Sequence, residues 1–489
     1  MVYTSKIASE PSLAPNDELP KTVLATLIAQ LPQNDLAVFG NRPERSHPYP
    51  QWPIADGRDL AAVANVVRSG RWGGAPFPGP QSAQFAHRFA AMQKGQTTKT
   101  FAVPMVNGTV TLEVALRAAH IGWGDEVIIP AYTFQATGTA PIMAGAVPIL
   151  VDVDPQTYCI SPAAIEAALT EKTKAIIPVH LGAQVADMDA IMAIGDRHGL
   201  IVIEDCAHAH GAQWRGRGVG AFGHFGSFSL QSNKILTAGE GGILLCRTQA
   251  LADRATSIID CGRFPGARAN IASPTSESPE SDLSGIEQLL QHFLQCGGQK
   301  PGFSLGSNYR MSEFQAAMGN VALSRFDRQR QEREAMLAYF EKRLASVPGV
   351  RLLKRDRRHT QRSFSFYRYI FALVPERFGA AHEEVCLALH AEGIPCTTGY
   401  AALHRHSLFQ PMRSHLPVPS LHPEKFDYSH LSLPVAEQAC SRDAIWIGES
   451  VFRAGKQGVE DAIAAIQKVQ RNAPILSAAK TAFLRMADQ

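Results

Sequence analysis

Short apolar segments that alternate with amphipathic helices are the feature that most constrains how this 489-residue chain can fold. These segments are apolar on both faces, which is typical of parallel strands buried in the middle of a sheet. Apolar residues at helical spacing over 59–70 and 111–122, each pattern ending at a glycine, predict helices between strands. We therefore predict a doubly wound α/β domain. The apolar segments are EVIIP (126–130), VPILVDV (147–153), KAIIPVHL (174–181) and LIVIEDC (200–206).

A change of composition after residue 263 indicates a second, smaller unit. Residues 264–302 are rich in Pro, Ser, Ala and Gly, which predicts a long loop or insertion. A helical pattern over 312–347 then predicts the bridge into an α+β domain, with a strand over 364–374 and a helix over 382–393. The predicted organisation is an N-terminal extension (1–45), a large domain (46–330), a small C-terminal domain (331–472) and a tail (473–489).

Composition and charge exclude several classes of function. A formal net charge of +3 over the whole chain gives no basis for a nucleic-acid-binding surface. No apolar run approaches the roughly 18 residues that a membrane helix needs, and residues 1–21 lack a secretory signal, so we expect a cytoplasmic protein. The eight cysteines include no Cys-x-x-Cys pair, so we predict neither a metal site nor a disulfide framework.

An Asn-Gly-Thr turn at 107–109 opens the helical segment VNGTVTLEVAL (106–116). The start of a helix presents free backbone N–H groups and the positive end of the helix dipole, which together bind phosphate. Thr109 is also suited to be a plain N-cap, and the turn alone favours that simpler interpretation. The turn is therefore a candidate phosphate site with a structural alternative.

Asp205 follows the buried strand within IVIEDCAHAHG (201–211). Because ligands bind at the carboxyl ends of strands in open α/β sheets, this carboxylate is placed to pair with the protonated ring nitrogen of a cofactor. Capping of the next helix is the alternative, and this stretch alone does not decide between them. His208 and His210 lie on the same turn, but a His-x-His pattern without a third ligand is weak evidence for a metal.

Lys234 lies in QSNKILTAGEGG (231–242), directly after the apolar segment FGSFSL (225–230). Burial lowers the pKa of a lysine because the charged form loses its hydration, and Schiff-base chemistry needs the neutral amine. Ser229, five residues earlier, offers a hydroxyl to a phosphate. The alternative is a hairpin turn at AGEGG (238–242) with a solvated lysine, which this stretch alone favours.

Together these positions match the needs of one cofactor in chain order. A helix start receives a phosphate, a carboxylate keeps a pyridine nitrogen protonated, and a lysine bonds an aldehyde. The combination predicts pyridoxal 5'-phosphate as the cofactor.

The same motifs resemble the DegT-like sugar aminotransferases, within fold type I of the pyridoxal-phosphate enzymes. The resemblance covers roughly residues 48–470 and leaves out the N-terminal extension and the tail. It implies a large doubly wound domain with a mixed, mostly parallel sheet, followed by a smaller α+β C-terminal domain. The matching motifs are NGT (107–109), GWGDEVIIPAYTF (122–134), VDVDPQTYCISP (151–162), TKAIIPVHL (173–181), IEDCAHAHGA (203–212), FSLQSNKILTAGEGG (228–242) and GSNYRMSEFQAA (306–317).

The resemblance implies roles for the residues that match these motifs. Lys234 forms the covalent bond to the cofactor's aldehyde and later moves a proton, and Asp205 pairs with the pyridine nitrogen. Other residues hold the phosphate or flank the ring. The implied set is Gly108, Thr109 and Ser229 for the phosphate, and Phe134 and His208 for the two sides of the ring.

Two further positions follow from the resemblance. Asn308 matches an asparagine that reaches the phosphate from the neighbouring subunit, which implies a homodimer, whereas the sequence around it alone indicates only a helix start. His404, in YAALHRHSLF (400–409), matches a histidine near the substrate entrance.

The resemblance is closest to two subgroups, the glutamine-dependent aminotransferases of keto-inositols used for aminocyclitol antibiotics and 3-amino-5-hydroxybenzoate synthase. It implies transfer of an amino group from glutamine or glutamate to a keto-cyclitol or keto-sugar. An aromatising dehydratase is the alternative within the family, and a non-catalytic regulator of the same fold is the alternative outside it. The long segment 264–302 departs from both subgroups, as do Gly448 and Glu449, which stand where histidines are frequent.

Overall fold

A computed structural model describes residues 33–74, 77–93, 100–263, 304–354 and 365–487. Within the N-terminal extension, KTVLATLIAQL (21–31) predicts one short helix, and this segment and 264–302 lie outside these ranges. The strands, in chain order, are β1 (Phe101–Met105), β2 (Glu126–Pro130), β3 (Val147–Val151), β4 (Thr173–Ile176), β5 (Ile201–Asp205), β6 (Gln213–Trp214), β7 (Arg217–Gly218), β8 (Phe225–Ser229), β9 (Gly242–Cys246), β10 (Val350–Leu352), β11 (Arg368–Leu373), β12 (Cys396–Thr397) and β13 (Ala444–Gly448).

Helices cover both faces of the large sheet and one side of the small one. In chain order they are α1 (Gly57–Ser69), α2 (Pro80–Met92), α3 (Gly108–Ala118), α4 (Ala136–Ala144), α5 (Pro162–Ala168), α6 (Met188–His198), α7 (Gln249–Ile259), α8 (Glu313–Leu344), α9 (Pro375–Phe378), α10 (His382–Ala391), α11 (Pro417–Leu421), α12 (Pro434–Gln438), α13 (Ser450–Arg453), α14 (Gly455–Arg471) and α15 (Ala473–Ala487).

The large sheet has seven strands in the order β1-β9-β8-β5-β4-β2-β3. Neighbours from β8 to β3 run parallel, and β9 is antiparallel to both β1 and β8. Every residue of β2 and β8 is buried, as strands covered by helices on both faces must be. The predicted mixed, mostly parallel sheet is therefore confirmed, and so are the four strands predicted at 126–130, 147–153, 174–181 and 200–206, within a few residues.

The second sheet has four antiparallel strands in the order β10-β11-β13-β12. Its strand β11 occupies most of the predicted strand 364–374, and α10 matches the helix predicted over 382–393. The apolar spacing of GVEDAIAAIQKVQR (458–471) likewise predicts a helix, which α14 contains. Apolar residues of α14, such as Val459 and Ile463, pack against this sheet in a core separate from that of the large sheet. The predicted α+β unit is thus present in the C-terminal part of the chain.

The 32-residue helix α8 connects the two cores. It begins at a capping box, in which Ser312 Oγ accepts from the Gln315 backbone N–H and Gln315 Oε1 accepts from the Ser312 backbone N–H. Phe326 packs with the aromatic residues of α2 beside the large sheet. Leu337 and Phe340, further along, belong to the core of the small sheet.

The predicted division of the chain into domains (1–45, 46–330, 331–472 and 473–489) remains a prediction. The predicted boundary at residue 330 lies inside the continuous helix α8. The segment predicted as a tail contains α15, whose Ala473 and Leu476 are buried with the small sheet's core. None of the helices in the described ranges combines the length and the hydropathy that crossing a bilayer requires.

A hydrogen bond between buried aromatic residues joins the two sheets. Trp446 of β13 donates through Nε1 to the hydroxyl of Tyr132, just after β2, at 2.9 Å. The exposed fractions are 2% for Trp446 and 0% for Tyr132. We predict that Trp446→Phe lowers the apparent free energy of unfolding by about 1–3 kcal/mol, because it leaves a buried hydroxyl without its donor. Urea unfolding followed by circular dichroism measures the change.

Trp123→Phe is the matched control, since Trp123 is 65% exposed. We expect the control to change the unfolding free energy by less than about 0.5 kcal/mol. Equal effects of the two substitutions would show that the hydrogen bond contributes nothing to the stability of the fold.

Candidate active site

A cavity of about 400 Å³ lies at the carboxyl ends of β5 and β8, beside the start of α3. Open α/β sheets bind their ligands at this edge, because the parallel strands present their carboxyl ends and the following helices their amino ends together. Seven of the nine predicted site residues line it. These are Gly108, Thr109, Phe134, Asp205, His208, Ser229 and Lys234.

The start of α3 forms one wall of the cavity. Asn107, not Thr109, is the N-cap, and its side chain accepts from the backbone N–H of Val110 at 2.9 Å. No hydrogen-bond partner within the described ranges occupies the N–H groups of Gly108 and Thr109, which is normal for the first turn of a helix. A side chain at Gly108 would place its Cβ 2.6 Å from Ser229 Cβ. Glycine therefore lets the free N–H groups and the Ser229 hydroxyl converge on one anion-sized position.

Asp205 ends β5 and is 7% exposed. One carboxylate oxygen accepts from the Ala207 backbone N–H at 3.1 Å, and the other accepts from Thr137 Oγ1 at 2.9 Å. Asp205 thus caps the following turn and still faces the cavity, so the two interpretations of this residue are compatible. Burial raises its pKa, and the nearby positive charge of Lys234 offsets part of that rise. A cation in the cavity would favour the ionised carboxylate further.

Lys234 lies in the connection between β8 and β9. The two strands do pair antiparallel, as the hairpin alternative requires, but the lysine is half-buried and lines the cavity. Its Nζ lies 4.2 Å from the centre of the Tyr367 ring. Burial lowers the pKa of Lys234 to about 8, although the charge of Asp205 acts in the opposite direction. A lysine with this lowered pKa therefore has a far larger neutral fraction near physiological pH than an ordinary lysine.

Aromatic side chains form the wall opposite α3. His208 Nδ1 accepts from the Gly182 backbone N–H at 3.4 Å, which assigns the proton to Nε2, 3.0 Å from the hydroxyl of Tyr400. Burial, followed by the charge of Lys234, holds the pKa of His208 well below its usual range, so the ring is neutral. Phe134 lies with its ring centre 5.6 Å from that of Tyr400.

Tyr367 and Tyr400 are cavity residues that sequence reasoning missed. Tyr367 immediately precedes β11, and Tyr400 follows β12, so both reach the cavity from the small sheet. Tyr400 begins the segment YAALHRHSLF (400–409), which was singled out for His404, so a sequence signal for Tyr400 lay close by. No local pattern marks Tyr367, because only the packing of the small sheet against the large one brings it to Lys234.

Asn308 and His404 lie outside the lining of this cavity. Asn308 forms an isolated antiparallel bridge with Asp260. His404 is buried, and its Nε2 lies 2.6 Å from Glu437 Oε1. Their predicted roles, in a neighbouring subunit and at the substrate entrance, remain predictions.

Comparison with known proteins assigns the family. Residues 53–452 match the model of the DegT/DnrJ/EryC1/StrS aminotransferase family. The chain belongs to this family. The resemblance predicted from the motifs is confirmed, and the chain is an aminotransferase.

Relatives of the DegT family extend over nearly the whole chain. An L-glutamine:2-deoxy-scyllo-inosose aminotransferase of Streptoalloteichus tenebrarius is 37% identical over 444 residues, which is 89% of this chain and 98% of that protein. A second protein of this organism, named for the glutamine-dependent amination of 3-amino-2,3-dideoxy-scyllo-inosose, is 37% identical over 448 residues, 91% of this chain and 99% of its own.

Among solved structures of the DegT family, 3-amino-5-hydroxybenzoic acid synthase superposes with a TM-score of 0.70 at 28% sequence identity. The match covers 87% of this chain and 100% of that one. It confirms the predicted fold class, fold type I with a mixed, mostly parallel sheet in the large domain.

The lowered pKa of Lys234 predicts how the rate of chemical labelling of its amine depends on pH. We expect a small aromatic aldehyde, fixed by borohydride, to label Lys234 roughly tenfold faster at pH 9 than at pH 7. The reason is that a lysine with a pKa of about 8 goes from about one tenth to about nine tenths neutral over that interval. Mass spectrometry of the digested protein quantifies the labelled peptide.

Exposed Lys172 in the same digest is the internal reference. Labelling of Lys234 should level off above about pH 9, whereas an ordinary lysine, with a pKa near 10.4, continues to gain reactivity at higher pH. A profile for Lys234 that rises in parallel with that of Lys172 up to pH 11 contradicts the lowered pKa.

Proposed function

We propose that this aminotransferase uses pyridoxal phosphate to move an amino group from glutamine or glutamate to the keto group of a cyclitol. The observation that carries the proposal is the convergence of Lys234, Asp205 and the start of α3 on one cavity of about 400 Å³. Each of the three supplies a different requirement of the same cofactor.

The start of α3 suits the phosphate. The unpartnered N–H groups of Gly108 and Thr109 and the hydroxyl of Ser229 are donors at the positive end of a helix. The described lining of the cavity has no carboxylate from α3 itself that would repel an anion. These donors would hold a phosphate without a lysine or arginine.

Asp205 suits the pyridine nitrogen. It is a buried carboxylate without an ion pair in the described part of the chain, and its present hydrogen-bond partners, Thr137 and Ala207, are neutral. A protonated ring nitrogen would supply the missing positive charge and hold Asp205 ionised. When bound in this way, the cofactor supplies an electron sink for the carbanion character that develops at the substrate Cα.

Lys234 suits the covalent and proton-transfer roles. Its lowered pKa raises the share of neutral amine that would hold the cofactor's aldehyde, and the same amine would move a proton at Cα of the donor. The segment between Lys234 and β9 contains two glycines with positive φ, Gly239 and Gly241. General acid–base catalysis by a positioned amine contributes on the order of 10²–10⁴ to the rate. The neutral ring of His208 and the ring of Phe134 bound the space on either side.

The relatives support the substrate class. Two are named for glutamine-dependent amination of keto-inositols, and each matches about nine tenths of this chain. Both named keto-inositols are polyols without an anionic group, and one of them carries an amine. The cavity offers such a polyol hydrogen bonds from hydroxyl, amide and carboxylate groups such as those of Tyr400, Gln231 and Glu240. Glutamine or glutamate is the donor in this proposal.

A homodimer belongs to the same proposal, with Asn308 reaching the phosphate of the partner's site. Large exposed apolar side chains support it, because exposed apolar surface is typical of an interface. Leu305 is 89% exposed and Trp72 is 55% exposed. We propose this assembly on the exposure of those side chains and on the resemblance.

An aromatising dehydratase is the second candidate, favoured by the structural match to 3-amino-5-hydroxybenzoic acid synthase. It needs the same lysine and aspartate, so the cavity does not separate the two reactions. A non-catalytic regulator is disfavoured, because such a protein has no need for a buried carboxylate and a lysine of lowered pKa in one cavity.

A half-reaction screen tests the proposal. The chain is loaded with pyridoxal phosphate, treated with glutamine, glutamate or alanine, and the loss of the violet-edge absorption is recorded. We expect glutamine or glutamate to remove the absorption and a keto-inositol to restore it. Loss of water from an aminated cyclohexenone, detected by mass spectrometry, would instead support the dehydratase. No spectral change with any donor would contradict the transamination proposal.

Asp205→Asn separates cofactor binding from chemistry. We predict that it slows the donor half-reaction by about a hundredfold or more, because an unprotonated pyridine is a poor electron sink, while the affinity for pyridoxal phosphate falls by less than about tenfold. Stopped-flow absorbance gives the rate and equilibrium titration gives the affinity. Thr137→Val, which removes a neutral donor to Asp205 and the hydrogen bond with Thr133 Oγ1 but no charge, is the matched control and should have the smaller effect on the rate.

A further inference from the structure

A groove of about 280 Å³ lies beside the core of the small sheet. Three elements form its walls: the 3₁₀-helix Ala37–Phe39, helix α10 and helix α15. The first and the last lie outside residues 53–452, which match the family model, and none of the described groove residues lines the candidate active site. The apolar side chains of the groove belong to Val38, Phe39, Leu387, Leu476 and Ala479.

Apolar side chains in this groove are exposed. Leu387 is 67% exposed and Val38 is 40% exposed, although α10 buries Val385 and Leu389 in the core of the small sheet. Single exposed apolar residues are common on protein surfaces, but these two border one concave surface together with the partly buried ring of Phe39. A contiguous, concave apolar surface is typical of a site where a helix packs.

The charged side chains at the rim of the groove do not cancel. Lys480 Nζ lies 3.2 Å from Glu384 Oε1, so these two charges form a pair. Glu383, which also lines the groove, has no ion-pair partner within the described ranges. The rim therefore carries one net negative charge, and it is complementary to an occupant with an apolar face and a single positive charge.

The chain that leads into the groove from its N-terminal side is fixed by buried contacts. The backbone N–H groups of Ala37 and Glu44 donate to the two carboxylate oxygens of Glu392, at 2.8 and 3.0 Å. Glu392 is fully buried and also accepts from Lys468 Nζ at 2.9 Å. Leu36 is buried in the core of the small sheet, so the sequence before it is tethered at the edge of the groove.

The tethered sequence contains KTVLATLIAQL (21–31), whose apolar residues recur with the spacing of a single helical face. Pro32 ends the pattern, because the residue before a proline disfavours helical geometry. Lys21 is the one charged residue of the segment. A helix of this length is marginally stable in water by itself, so it needs a surface on which to pack. The residues that share the apolar face are Val23, Leu24, Leu27, Ile28 and Leu31.

The length of the connection brings this segment to the groove. A helix over 21–31 is about 17 Å long, and residues 32–36 can span up to about 17 Å. The helix can therefore fold back onto a groove whose wall begins at residue 37. So short a connection gives the segment an effective concentration on the order of millimolar at the groove, which favours it over a separate chain.

We propose that residues 21–31 form a helix that packs its apolar face into this groove of the same chain. The segment supplies an apolar face for the apolar lining, and Lys21 supplies one positive charge for the net negative charge of the rim. The packed helix covers Leu387 and Val38 and joins α10 to α15. The N-terminal extension is thus a clasp on the small domain, independent of the aminotransferase site.

Hydrogen exchange followed by mass spectrometry tests this packing on the full chain. We expect the amides of 21–31 to exchange about tenfold or more slowly than in a synthetic peptide of the same sequence, because the amides of a packed helix are protected. Leu387→Asp, which places a charge in the groove, should return their exchange to within about threefold of the peptide rate. Leu60→Asp is the matched control and should keep the protection, because Leu60 is 74% exposed but lies on α1, outside the groove.

A second pair of variants changes the segment itself. Leu27→Asp places a charge on the apolar face and should remove the protection of 21–31, whereas Thr26→Asp lies off that face and should keep most of it. Circular dichroism checks that all four variants fold. We expect them to fold, because Leu387 and Leu60 are exposed and Leu27 and Thr26 precede the fixed part of the chain.

Other outcomes would overturn the proposal. Exchange of 21–31 at the peptide rate in the unsubstituted chain would show that the segment does not pack. Protection that survives Leu387→Asp would place the segment on a different surface. An intramolecular helix keeps its protection at every protein concentration, so protection that is lost on dilution would make a second copy of the chain the occupant of the groove.

Discussion

The close approach of the start of α3 to the end of β8 is the constraint on which the rest of the site depends. Gly108 and Ser229 pack so tightly that a Cβ at 108 would lie 2.6 Å from Ser229 Cβ, and a Cβ at Gly242 would collide with the carbonyl of Asn107. The absence of side chains at Gly108 and Gly242 thus allows the start of α3, the end of β8 and the start of β9 to meet at one cavity. The anion-binding N–H groups, Asp205 and Lys234 meet there because this contact holds their elements together.

The pKa shifts of Asp205 and Lys234 suit a ligand that carries both negative and positive charge. Burial raises the pKa of Asp205 and lowers that of Lys234, so each group is held against its usual charge state. The neutral donors around Asp205 and the aromatic ring beside Lys234 leave both groups available. A cofactor with a phosphate at one end and a cationic ring nitrogen at the other would satisfy the helix start and Asp205 together.

Local sequence predicted much of this arrangement and missed what only packing between the two sheets creates. Apolar strands such as EVIIP and the motifs around Asp205 and Lys234 are contiguous in the chain, so their pattern carries the strand positions and the chemistry. Tyr400 meets His208 across 192 residues of sequence, and Tyr367 and Arg368 lie in a segment predicted only as a strand. Such contacts depend on how the small sheet docks, which no local spacing encodes.

We propose that Lys234 carries the cofactor, and trapping the cofactor on the protein with borohydride tests this directly. The chain is saturated with pyridoxal phosphate, reduced with borohydride, digested, and analysed by mass spectrometry. We expect one pyridoxyl group per chain, on the peptide that contains Lys234, and none in Lys234→Ala. A pyridoxyl group on a different lysine of the unsubstituted chain, or no stable adduct at all, would contradict it.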